Sequence, residues 1–213
     1  MLADLWPLYG LTIATPRLSL RLPREEELAA LAEVAGAGVH PAGERPFLTP
    51  WTEGGPFDRA RFVLRRHWHQ LASWETDSWE LGLGVFLGER AIGMVNLRGR
   101  DFPVVREVTT SSWLGVDHHR QGYGTEARAG VLTLAFDHLG AGAALTEVFQ
   151  DNHASQGVSR KIGYEPDGIS VDARDGEPVV SDRLRLTAAR WRQLDRPAAT
   201  VTGLDPGRPS FGL

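Results

Sequence analysis

The chain has no cysteine. A disulfide framework, a thiolate nucleophile and a cysteine-ligated metal are excluded together, and the absence suits a cytoplasmic setting. No apolar run approaches the length of a membrane span, so no membrane partner is expected. There is no basic surplus either. The net charge of the 213 residues is −4, with both signs interspersed, whereas a nucleic-acid-binding surface carries a cationic excess. Lysine is almost missing and arginine takes its place. The N-terminus, Met1-Leu2-Ala3-Asp4-Leu5-Trp6-Pro7, lacks the basic start and long apolar core of a secretory signal. What the composition does supply is 42% hydrophobic residues, enough for a proper core at this length.

Periodicity orders the rest. Leu18–Leu22 alternates apolar and polar residues, as a half-buried strand does. Pro23 and Glu25–Glu27 suit the first turn of a helix, with Leu28, Leu31 and Val34 on its apolar face and Gly36 and Gly38 at its end. Val39–Pro56, rich in proline and glycine, reads as a loop in which Phe47 and Trp51 line a pocket or anchor to the core. Asp58 is expected to cap a second helix over Arg59–Leu71, burying Phe62, Trp68 and Leu71. An antiparallel section follows: Trp79–Leu87, a Gly88-Glu89 turn, Ala91–Leu97, a turn at Gly99–Asp101, and a long strand over Val104–Val116. That last strand places Glu107, Thr109, Ser111 and Trp113 on one face. A helix over Ala127–Leu139 with a stripe at Ala127, Val131, Leu134, Ala135 and His138, a strand over Ala143–Phe149, a short helix over Asn152–Ile162, a strand at Leu184–Leu186 and a short helix over Ala188–Leu194 complete the series. Residues 1–195 are read as one domain, and residues 196–213, rich in Pro, Gly and Thr, as a loose tail or a strap. The order predicts a mixed α/β (α+β-like) layer arrangement.

Between the long strand and its helix stands His119-Arg120-Gln121-Gly122-Tyr123-Gly124-Thr125-Glu126. Glycine permits φ > 0 and close approach of a ligand to the backbone. A strand, a glycine turn and a helix N-terminus together form an anion site. The spacing is neither a dinucleotide fingerprint, which needs three glycines, nor a P-loop, which needs Lys-Ser/Thr. About thirty residues on comes Asn152-His153-Ala154-Ser155, then Val158, then Arg160-Lys161-Ile162-Gly163-Tyr164.

This pair of motifs resembles the GCN5-related N-acetyltransferases (GNAT). Their first motif is Gln/Arg-x-x-Gly-x-Gly/Ala and their second reads roughly Asn-x-x-Ser-x-x-x-x-x-Lys-x-Gly-Phe/Tyr. Trp113-Leu114 before the turn and Thr125-Glu126-Ala127 after it resemble the branch of the ribosomal-protein-alanine N-acetyltransferases. The resemblance covers about residues 15 to 190. One departure is His119, where the family has Gln or Arg.

The resemblance implies a central, mostly antiparallel sheet with a splayed parallel strand pair and helices on both faces. It implies acetyl-CoA as co-substrate, an amine as acceptor and a homodimer. Amides from Gln121, Gly122, Tyr123, Gly124 and Thr125 would hold the pyrophosphate. Leu114, Gly115 and Val116 would pair with the pantetheine arm, and Asn152 would contact it. Arg120, Arg128, Arg160 and Lys161 are candidates for the phosphates. Glu107 is the candidate base, two residues before the position where relatives carry an acid, here Thr109; Glu147 is the runner-up. Ser155 would assist protonation of the leaving thiolate, and Tyr164 is expected to pack. Asn152 and Ser155 are also natural helix N-cap residues.

The function expected is acetyl-CoA-dependent N-acetyl transfer to a primary amine, on a protein N-terminus or a small molecule, by direct attack in a ternary complex. A larger pocket would admit succinyl or another acyl group. The alternative is a non-catalytic acyl-CoA-binding or sensing module, which would keep the turn and lose the base. Adjacent His118 and His119 without a third ligand do not make a metal site. The tryptophans are read as core and pocket walls.

Overall fold

The computed structural model describes residues 2–213. Its strands are β1 (Thr12–Ala14), β2 (Leu18–Arg21), β3 (Trp79–Leu87), β4 (Arg90–Gly99), β5 (Glu107–Leu114), β6 (Ala143–Phe149), β7 (Glu165–Arg174), β8 (Glu177–Thr187) and β9 (Thr200–Thr202). Its longer helices are α1 (Glu25–Ala37), α2 (Pro56–Ala72), α3 (Tyr123–Thr133) and α4 (His153–Ile162). All nine strands join one sheet in the order β7-β8-β6-β5-β4-β3-β2-β1-β9. Every neighbouring pair is antiparallel except β5 and β6. This is the mixed α/β arrangement with one parallel pair that the sequence implies.

Alternation along the strands feeds two cores. On one face Val85, Val95, Leu97 and Val108 pack with Ala127 and Val131 of α3 and with Leu134 just beyond it. On the other, Phe86 and Met94 pack with Leu28, Leu31 and Ala35 of α1 and Val63 of α2. Helices therefore cover both faces. α3 is buried from Glu126 to Thr133 and continues through a π-helical turn, Leu134–His138.

Three local expectations are corrected. The strand over Val104–Val116 is shorter: Phe102–Val105 is a helical turn, and β5 begins only at Glu107. Pro103 removes a ladder donor there, and Asp101 and Arg106, at φ 47° and 54°, reverse the chain on either side. The second helix starts at Pro56, not at Arg59. Asp58 lies in its first turn, where its carboxylate accepts from the Gly55 amide at 3.0 Å. That helix buries Val63, His67 and Gln70, while Trp68 is exposed. Polar residues at the buried positions rotate the stripe away from the one hydrophobicity predicts.

Two regions gain structure. Glu165–Arg174, assigned no element from sequence, pairs with β8 as a long hairpin turning at Asp175-Gly176, with φ of 55° and 83°. Of the alternatives for residues 196–213, the strap is the one adopted. β9 adds to β1, and Phe211 is fully buried against Trp74 and Trp79, at 5.5 and 4.8 Å between ring centroids.

Candidate active site

The sheet forks. β5 and β6 pair only over Glu107–Thr109 and Ala143–Leu145, yet β5 continues to Leu114 and β6 to Phe149. Beyond Thr109 the β6-facing edge of β5 is open, and the fork points toward the glycine turn that follows β5. The open edge starts earlier than Leu114. The Gly115 and Val116 amides are already used, donating to Ile92 O at 2.9 Å and Gly38 O at 3.0 Å. The His119 ring reaches back to the Leu114 carbonyl at 3.0 Å. That contact gives the departure at His119 a structural role.

The turn is built for an acceptor oxygen. Gly122 caps α3 at φ 83°, a conformation that strains any other side chain. Arg120 precedes it at φ 59°. The first helical bond closes from Glu126 N to Gly122 O at 3.1 Å. The amides of Tyr123, Gly124 and Thr125, ahead of it, have no intrahelical acceptor. The Gln121 side chain donates to Asp117 O at 2.9 Å and so shapes the loop.

The turn is held from a distant part of the chain. Buried Glu126 accepts from Thr15 Oγ1 at 2.7 Å, Arg17 N at 2.8 Å and Arg17 Nε at 2.6 Å. Arg17 also donates to Gln121 O at 2.9 Å and lies over the Tyr123 ring at 4.5 Å. Burial by itself would raise the Glu126 pKa; the bonds from Thr15 and Arg17 outweigh it, and the net shift is downward. Neither Thr15 nor Arg17 has a sequence signal for this role.

Behind the turn lies a buried polar cluster. Arg128, read from sequence as a phosphate candidate, is 4% exposed. It donates to Ser159 Oγ of α4 and to Ser112 Oγ of β5, both at 3.3 Å, and its Nε has no partner. Burial lowers its pKa. Tyr164 packs beside it, as expected, with its hydroxyl 3.4 Å from Thr110 Oγ1 and its pKa raised by burial.

At the start of α4, Asn152 caps the helix: its Oδ1 accepts from Ser155 N at 3.0 Å. The Ser155 hydroxyl has no hydrogen-bond partner among the described residues. Arg120, Arg160 and Lys161 are exposed.

The opposite face of the sheet carries Glu107. Glu107 is ion-paired with Arg185, which also approaches Asp167 at 3.3 Å. The Glu107 hydrogen bond is the main cause of the raised pKa of Arg185. A cavity of about 340 Å³ opens here, bordered by Glu107, Thr109, Leu145, Arg98 and Arg100. Glu147 lies farther along β6 and is exposed. The loop from Val39 to Gly55 roofs this side. Trp51 sits 5.1 Å from Phe47, 4.9 Å from Phe62 and 5.9 Å from Trp113 of β5, so of the two expectations for Phe47 and Trp51 the structure bears out the anchor: they pack on the core. Arg45 ties the loop to the β7–β8 turn by a 3.0 Å ion pair with Asp175, and Arg174 donates to Arg45 O at 2.8 Å. His118 faces Tyr123 while His119 bonds Leu114 O, so the two rings do not converge. Among the described residues no helix is long and apolar enough to cross a membrane.

Free amides at a capped glycine turn, beside an open strand edge, fit a ligand with a pyrophosphate at one end and an amide-bearing arm. The protein resembles, in fold, the RimJ of Mycobacterium smegmatis solved with CoA-disulfide (15% identity over 90% of this chain and 92% of that one, TM-score 0.65). It also resembles RimL, a ribosomal L7/L12 α-N-protein acetyltransferase solved with coenzyme A (14%, 83% and 97%, TM-score 0.64). A GNAT-family acetyltransferase from Bacillus anthracis matches similarly (16%, 84% and 99%, TM-score 0.64). The profile of the acetyltransferase (GNAT) domain matches residues 17–165, from the arginine of the clamp to the residue after Tyr164, and the chain belongs to that family of acetyl-CoA-dependent N-acetyltransferases.

Proposed function

We propose that the protein transfers the acetyl group of acetyl-CoA directly to a primary amine, a protein N-terminus or a small-molecule amine, in a ternary complex. The observation that carries this reading is the fork beyond Thr109 and Leu145, open toward the capped turn, with the Glu107 cavity bordering its closed end. A thioester threaded through it would meet the amine across the sheet.

The roles follow from placement. Amides of Gln121–Thr125 hold the pyrophosphate, helped by the N-terminal dipole of α3. Exposed Arg120 and Arg160 supplement them, and Asn152 contacts the arm through the amide NH₂ that capping leaves free. The arm pairs along the open edge from Thr110 to Leu114, a shift from Leu114–Val116 because the Gly115 and Val116 amides already have acceptors. Ser155, with a free hydroxyl on α4, hydrogen-bonds the leaving sulfur. Glu107 accepts the amine proton, directly or through water. Arg185 pairs with that carboxylate and orients it. Holding both reactants at one fork supplies much of the rate, and no covalent enzyme intermediate is needed, which agrees with a chain without cysteine. We also place the protein in the cytoplasm, as a homodimer.

Titration calorimetry with acetyl-CoA, followed by an amine screen with thiol detection, tests the proposal. Micromolar binding and amine-dependent thiol release are expected. Binding without release for any amine would favour a non-catalytic sensing module. Absence of binding at millimolar ligand would remove the reading.

A further inference from the structure

Arg128 is a buried cation without a counter-ion. No carboxylate lies within ion-pairing distance of it among the described residues. Its two hydrogen bonds go to neutral hydroxyls at 3.3 Å, and its Nε has none. An unpaired charge in a protein interior costs several kcal/mol. A guanidinium offers five N–H donors in a planar fork matched to a carboxylate. The groups around it are also slack and polar. Ser112 comes from the splayed part of β5 and Ser159 from α4, one turn beyond Ser155. Tyr164 meets Thr110 at 3.4 Å. This cluster joins the open strand to the helix whose first turn carries the residue placed near the sulfur. It therefore lies along the fork, behind the position of the thioester.

We propose that the fork accepts, besides acetyl, a short acyl chain ending in a carboxylate, such as succinyl, with Arg128 as the residue that binds that carboxylate. The inference rests on the CoA-thioester reading of the fork. In the transfer the amine lone pair forms the C–N bond and the C–S bond breaks. The amine proton goes by way of the base and solvent to the thiolate, and free CoA thiol leaves. The distal carboxylate stays charged and departs with the product, returning Arg128 to its unpaired state.

The test compares binding of CoA, butyryl-CoA and succinyl-CoA to the full chain by titration calorimetry. Succinyl-CoA is expected to bind at least about tenfold tighter than butyryl-CoA, its nearest neutral counterpart, because a hydrogen-bonded charge pair is worth a decade or more of affinity. In Arg128→Met the ratio should fall to about one. The same variant should melt no lower than the wild type, since an uncompensated buried charge has been replaced by an apolar side chain of similar length. A large fall in melting temperature would instead mark Arg128 as a strut between Ser112 and Ser159. Equal binding of the two thioesters, with CoA itself bound, overturns the Arg128 assignment and leaves the CoA reading standing. A preference that survives in Arg128→Met also overturns it. Failure of all three ligands to bind overturns both. The wild-type comparison decides the matter even if the variant does not fold.

Discussion

The two sides of the fork are made differently. The side facing α3 is anchored on two buried charges, Glu126 and Arg128, 5% and 4% exposed, beneath an exposed glycine turn. The acceptor side is assembled from half-exposed groups on a loop, a hairpin tip and strand ends, tied by ion pairs such as Arg45–Asp175, whose side chains are 54% and 52% exposed. Buried charge-assisted bonds hold geometry against solvent, and exposed ones contribute little. On the proposed function, the side facing α3 would be fixed for one ligand, while the other side could change its amine without disturbing the fold.

Breaking the clamp should have the largest effect. Arg17→Ala leaves the Glu126 carboxylate buried with fewer donors, and the loss should be roughly 3 kcal/mol, at the low end for a broken buried pair because Arg17 is partly exposed. The KM for acetyl-CoA should rise while the KM for the amine stays near its wild-type value, and Arg17→Lys should restore part of the loss. Chemical unfolding and steady-state kinetics read the two effects. A variant with wild-type stability and an unchanged acetyl-CoA KM would remove the clamp from the account.

Glu107→Gln comes next. Loss of a general base costs about 100-fold in kcat, ~2.7 kcal/mol of barrier. Cofactor affinity should hold, since Glu107 stands on the acceptor face. Glu147→Gln is the matching control, with kcat within about twofold of wild type. If the two variants exchange behaviour, the base lies farther along β6 and the acceptor site is displaced with it.

Acid separates the two sides. His67, on the buried side of α2 with no partner for Nδ1, has its pKa lowered by burial from 6.5 to about 4. Below pH 6.5 the unfolded chain therefore binds the proton more readily than the folded one. The stability due to neutral His67 is complete above that pH and falls as pH drops toward 4. At pH 5 the loss is ~2 kcal/mol. Glu126 behaves in the other sense: its lowered pKa contributes stability above the ordinary carboxyl value, lost only as pH falls through the lowered folded value. Urea midpoints between pH 7 and 5 should fall in the wild type and stay flat in His67→Leu. Hydrogen exchange at pH 5 should open α2 before α3.

The same contrast explains what could be read in advance. Gly122–Glu126 and Asn152–Tyr164 are contiguous, and each residue type there answers to a local demand: φ > 0 at Gly122, a cap at Asn152, an αL stop at Gly163. β3 was located to the residue because its run is almost continuously apolar and buried and ends at the Gly88-Glu89 turn. Periodicity misplaced the start of β5 because apolar Phe102–Val105 looks like strand until Pro103 is weighed. It misjudged α2 because His67 and Gln70 are buried polar residues. The β7–β8 hairpin escaped because its outer strand is mostly exposed, although Asp175-Gly176 is a strong hairpin turn signal. Arg17 and Glu126 are 109 residues apart, and Glu126 alone looks like an acid complementing a helix dipole. Arg128 looks like a surface cation until its burial is seen. Local chemistry was legible; pairings across the chain were not.

The smallest effect falls on the Arg45–Asp175 ion pair between the loop and the hairpin tip. Asp175→Asn removes an exposed ion pair, so its cost in stability should be under about 1 kcal/mol and should shrink further with salt. Asn tolerates the left-handed conformation that Asp175 adopts at φ 55°, so the hairpin turn itself should survive. What remains is the hold on the loop carrying Phe47 and Trp51. If that loop sets the acceptor pocket, the KM for the amine should rise severalfold with the acetyl-CoA KM unchanged. That is the mirror image of Arg17→Ala. An effect on both constants would mean that the loop also closes over the cofactor, and that the two sides of the fork are not independent.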